Sequence, residues 1–170
     1  MAKAKDIDIL RSDLTNLEIK MREQLHADLV KSIKAKDKRR SATLRLINAA
    51  IKDRDIDARG KGKEPIADGE ILTLLQKMIK QRDESIEIYV KAGRDDLEQQ
   101  ERDEVAIIKD YLPQPLGEAE VASEIDLAIE QTGAQSLRDM GKVVGVLKAK
   151  FPGRIDFGEA SKVVKGKLGG

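Results

Sequence analysis

The chain contains no cysteine and no tryptophan, and its aromatic side chains stop at two tyrosines and two phenylalanines. Without thiols there is no disulfide framework and no thiolate-bound metal centre. With so few rings the core must be built from Leu, Ile, Val, Met and Ala, which suits helix packed on helix better than a sheet sandwich. The one histidine, His26, has no second histidine beside it, so it reads as a surface or boundary residue rather than a ligand or base. No run approaches the roughly twenty apolar residues of a membrane span, and Met1-Ala-Lys-Ala-Lys lacks the apolar stretch of a signal peptide. The expectation is a soluble cytoplasmic protein with no membrane contact. The glycines of Arg59-Gly-Lys-Gly-Lys63 follow no strand and lack the GK[ST] ending, so they form no nucleotide fingerprint.

What the chain has in quantity is charge, 37% of its residues, with a formal net of only +1. The sum hides a segregation. Residues 1–66 carry 17 basic against 11 acidic side chains, residues 67–116 carry 7 against 12, and residues 117–170 carry 8 of each. Opposite blocks can attract one another inside one chain, so the acidic middle is expected to neutralise part of the basic start. From Gly133 onward the balance turns basic again, 8 against 3.

Apolar spacing of three and four predicts an all-α fold. Residues 1–20 form an N-terminal extension whose Ile7, Leu10, Leu14 and Leu17 stripe suits an extra amphipathic helix. Residues 21–112 read as a bundle of about four helices, one capped by Asp37 and the longest beginning at Asp68. On the fourth, Glu98, Glu101, Asp103 and Glu104 are expected to face outward as a solvated face rather than a metal site. Arg82, on the longest, is expected outward as well. Pro113 and Pro115 disfavour helical continuation, making 113–116 a linker. Residues 117–170 form a three-helix unit. There Ser136 with Asp139 opens a helix bearing Leu137, Met140, Val144 and Leu147, and Asp156 with Glu159 opens another bearing Ala160, Val163 and Val164.

Inside the first of these two helices stand Gly141 and Gly145, each costing about 1 kcal/mol against alanine. They share a face, as a flat notch for another backbone or for internal close packing. The basic residues Lys142, Lys148, Lys150, Arg154, Lys162 and Lys165 surround this stretch, and Arg39 and Arg40 lead the most basic hairpin. Phosphate contact is the functional alternative and a solvated face the bland one.

The runs Ala35–Lys52, Lys80–Glu87, Lys91–Arg94, Tyr111–Leu116, Gly133, Asp139–Gly145 and Gly153–Arg154 together resemble the GatB/YqeY family, in the family's order and from about residue 21 to the end. The resemblance implies a likeness to the tail of the B subunit of the tRNA-dependent glutamine amidotransferase. That enzyme converts misacylated Glu-tRNA or Asp-tRNA to Gln-tRNA or Asn-tRNA, and its helical tail helps hold tRNA. It also implies the family's label, carbon–nitrogen ligase activity with glutamine as amido-N-donor. Carried over by resemblance, Gly141, Lys142, Gly145, Lys148, Gly153, Arg154 and Lys165 are tRNA-contacting or packing positions.

The residues themselves do not supply the chemistry. There is no glycine-serine-rich amidase signature and no phosphate-cradling loop. The expectation is therefore an RNA-binding or tRNA-associated accessory in aminoacyl-tRNA metabolism, with no catalytic residue, metal or cofactor of its own. Its expected partners are tRNA or another structured RNA, and a protein of the same metabolism. The alternative is a helical protein–protein adaptor.

Overall fold

A computed structural model describes residues 21–169, and every described element is helix, turn or loop, with no strand among them. The extension predicted over residues 1–20 lies outside the described residues. Helix α1 (residues 21–34) and helix α2 (Lys38–Gly60) form a hairpin whose second helix is capped where expected, Asp37 accepting from the Arg40 amide at 2.9 Å. Helix α3 (Asp68–Lys91) stops at Gly93, whose φ of 64° glycine adopts without strain, and helix α4 (Asp95–Lys109) returns along it. Leu25, Leu44, Ile47, Ile71, Leu75 and Ile108 are fully buried together and form the centre of the first core. His26 is exposed, as its isolation suggested.

The charge blocks meet as expected. Arg39 faces Asp103 and Glu104 at 4.0 and 3.8 Å, and Arg40 pairs with Asp110 at 2.8 Å. Tyr111 donates to Asp28 at 2.7 Å, tying the end of α4 to α1. Burial, and then that carboxylate, push the Tyr111 hydroxyl up to about 12.

Two expectations need correction here. Glu104 is buried, not outward, and Arg82 on α3 reaches it at 2.9 Å, with Glu101 at 3.8 Å and the Met78 carbonyl at 3.1 Å. The physical reason is pairing: a carboxylate and a guanidinium from adjacent helices satisfy each other where either alone would be too costly to bury.

The second core gathers Ile125, Ala128, Val143, Leu147, Ile155, Ala160 and Val164. Its helices are α5 (Glu118–Thr132), ended by left-handed Gly133, then α6 (Met140–Lys150) and α7 (Phe157–Leu168). Ser136 and Asp139 form the predicted box, but around a single 3₁₀ turn, Leu137–Asp139, before α6 begins. That turn rotates the helix, so Val143 and Leu147 point inward while Leu137 stays 48% exposed. On α7 the inward set is Phe157, Ala160 and Val164, with Val163 outside.

The two cores are joined by the turn after α6. Gly153 has a φ of +73°, and a side chain there would sit 2.9 Å from the Leu72 Cβ and 3.2 Å from Pro113. Leu116 donates its amide to the Arg154 carbonyl at 2.9 Å, Arg154 Nε donates to the Gln114 carbonyl at 2.9 Å, and Gln76 on α3 donates to the Ile155 carbonyl at 3.0 Å. The Phe-Pro-Gly-Arg turn is thereby fastened to both α3 and the linker.

Candidate nucleic-acid interface

The α6 surface is open. Among the described residues, a Cβ added at Gly141 or Gly145 meets nothing within 4 Å, so packing against the described helices is not why these positions are glycine. Counting three or four residues at a time, Arg138, Gly141, Gly145 and Lys148 fall on one exposed face of the helix and its leading turn. Neither Arg138 nor Lys148 has a carboxylate partner among the described residues; the Lys148 ammonium lies 5.8 Å from the Phe157 ring centroid.

The other predicted cations are less available. Lys142 bonds Asp139 at 3.1 Å, Lys150 bonds Glu124 at 2.7 Å and stands 5.0 Å from the Phe151 ring, and Lys162 bonds Glu159 at 2.7 Å, which raises its pKa. Asp139 is held below the usual carboxylate range, first by the Gln135 amide and then by Lys142. Arg154 is spent on a backbone carbonyl, Arg39 on the acids of α4, and Arg40 on Asp110 just after that helix. Only Lys148 and Lys165, of the eight predicted contacts, have neither a carboxylate nor a carbonyl partner among the described residues. The pairs at Lys142 and Lys162 are nonetheless exposed and screened by solvent, so an incoming phosphate can replace either carboxylate.

Lys148 also belongs to a second feature that sequence spacing does not reveal. A cleft of about 760 Å³ opens between the end of α2, the start of α3 and the end of α6. Its basic side chains are Arg54, Lys61, Lys63, Lys77 and Lys148, against Asp57 and Glu70. Both acids are engaged: Asp57 accepts from Lys61 at 2.8 Å, which lowers its pKa, and Glu70 accepts from the Ala67 amide at 3.1 Å. Arg54 and Lys63 also lie near enough to help hold the Asp57 pKa down, though neither forms a salt bridge among the described residues, nor does Lys77. One wall is a loop held in place by Arg22, which bonds both Asp55 oxygens at 2.9 and 3.0 Å and the Ile66 carbonyl at 2.7 Å, while Asp55 accepts from the Ile66 amide at 2.9 Å. A smaller cleft of about 480 Å³ between α3 and the start of α7 sets Lys77 and Lys80 against Asp83, Asp156 and Glu159, so its charges offset. Among the described residues no three His, Cys, Asp or Glu side chains gather to hold a metal ion, and no helix is long and apolar enough to cross a membrane.

Compared with known families, residues 22–168 match the one described as Yqey-like protein. This chain belongs to the YqeY-like family. The match spans both cores, α6 and the basic cleft.

Among relatives, the YqeY-like chain is 41% identical over 103 residues to "Altered inheritance of mitochondria protein 41, mitochondrial" of Lachancea thermotolerans, covering 61% of this chain and 51% of that one. It is 30% identical over 149 residues to the Pyrenophora tritici-repentis protein of the same name, covering 86% and 80%. A Saccharomyces cerevisiae protein of that name is 34% identical over 103 residues, covering 61% and 52%. The chain spans about half the length of the Lachancea and Saccharomyces relatives. The cytoplasmic expectation is overturned by these names, which describe the relatives as mitochondrial proteins.

Proposed function

We propose that this YqeY-like chain is an RNA-binding accessory of aminoacyl-tRNA metabolism, without a reaction centre of its own. The observation that carries this reading is the exposed row Arg138, Gly141, Gly145, Lys148: two cations without carboxylate partners flank two glycines that none of the described residues covers. A flat helix face bordered by cations lets a phosphate backbone approach closely, and the scarcity of aromatic rings favours recognition of a folded RNA by shape over stacking on unpaired bases. The ligase label that accompanies the resemblance then belongs to an assembly that such an accessory serves. The test is equilibrium binding of tRNA, mitochondrial species included, to the purified full chain. The reading expects Lys148→Glu with Arg138→Glu to weaken binding about tenfold or more, since each lost phosphate contact removes a share of the electrostatic affinity. Unchanged binding in that variant contradicts it.

A second reading, a protein–protein adaptor, is favoured by the pairing of Lys142, Lys150, Lys162, Arg39 and Arg40 with carboxylates. On that account the α6 face accepts a partner helix and the cations only solvate. It expects no tRNA binding above that of a neutral competitor, together with capture of a protein whose retention is abolished by Gly145→Leu.

A further inference from the structure

We infer that the cleft between the two cores is a phosphodiester site in which the first core's Arg54, Lys63 and Lys77 share one RNA strand with Lys148 of α6. This rests on the RNA reading above and deepens it, because it assigns the contact to both halves of the chain rather than to the C-terminal helices alone. Lys148 is the hinge of the argument. It ends the exposed row on α6 and also lines the cleft, so a backbone lying along that row continues into the cavity. The cations there come from four separate elements, the end of α2, the loop after it, α3 and α6, and they converge on a space of about 760 Å³. Five cations line the cleft against two acids. Asp57 bonds Lys61 and feels Arg54 and Lys63 more weakly, and Glu70 accepts from the Ala67 amide, so the excess positive charge attracts an anion. The loop carrying Lys63 is fixed at Ile66 through both its amide and its carbonyl, by Asp55 and Arg22, and at Lys63 through its amide to the Ala58 carbonyl, so the backbone that bears this cation is in place before any ligand arrives. Such preorganisation reduces the ordering cost of binding.

The experiment uses the full chain, labelled tRNA and the double variant Lys63→Glu/Lys77→Glu, with Lys91→Glu at the far end of α3 as control. All four side chains, Lys148 included, are exposed, so the substitutions leave the core intact; a circular dichroism melt checks this. The double variant is expected to lose about tenfold or more in affinity and to lower the slope of log affinity against log salt by about 1.5, while the control keeps both. If the double variant binds like the control while Lys148→Glu is impaired, the first core is not part of the site; this inference falls and the RNA reading stands. If the unmodified chain binds no RNA, the reading itself falls and this inference with it. Displacement of the RNA by polyglutamate as effectively as by inorganic polyphosphate would make the cleft a seat for an acidic protein segment and overturn the assignment.

Discussion

Arg82 shows where residue type misleads and spacing does not. Glu101, Glu104 and Ile108 follow Leu97 at four, seven and eleven residues, so the two carboxylates share the stripe that faces α3. Their charge argued for solvent, and the compensating guanidinium on another helix is invisible in a linear reading. The Arg82 and Glu104 side chains are only 13% and 8% exposed, so Arg82→Ala leaves a buried carboxylate short of its main partner and is expected to cost about 3 kcal/mol in urea denaturation. A loss under 1 kcal/mol would mean that Arg39, at 3.8 Å, and the Gln100 amide, which donates to Glu104 at 3.3 Å, suffice for that carboxylate. Asp55 makes a separate prediction with pH. Hydrogen bonding from Arg22 holds its pKa below the usual aspartate value despite partial burial. A depressed folded pKa stabilises the fold fully above the unfolded value of about 3.9, and the gain is lost as pH falls through the folded value. The stability gap between the unmodified chain and Asp55→Asn should therefore be widest near neutrality and narrow in acid. A gap that does not change with pH contradicts the assignment.

Among the helices, the caps were the most legible part. Asp37 and Asp156 both accept the amides their positions implied, because an N-cap is decided by neighbours within three residues. The orientation of α6 was not legible, since a 3₁₀ turn replaces the expected first helical turn and shifts the inward set to Val143 and Leu147. Its glycines now separate structure from function. Gly141→Ala and Gly145→Ala have free space and helical backbone, so each should raise stability by up to about 1 kcal/mol while weakening whatever binds the face. Gly153→Ala is expected to do the opposite. A left-handed backbone alone costs a residue with a side chain about 1–2 kcal/mol, and the contact with Leu72 adds to it. Thermal melts of the three variants check both signs, and a destabilising Gly145→Ala would show that the α6 face is packed after all.

Over the whole molecule, the all-α fold and the meeting of basic and acidic blocks followed from composition and charge order, and family membership from motifs in sequence. The cleft did not follow, because Arg54, Lys63, Lys77 and Lys148 are scattered over the chain and converge only when the turn at Gly153 seats α6 against α3. Local periodicity carries no information about that docking. The mitochondrial names of the relatives lay equally beyond reach of composition. The central claim is that this chain holds RNA through electrostatic contact with phosphate, and a salt titration of tRNA binding to the unmodified full chain tests it most directly. The account predicts affinity that falls linearly in log–log form with a slope of about −3 or steeper, as expected when several counterions are released. Affinity independent of salt, or no binding at low salt, would contradict it.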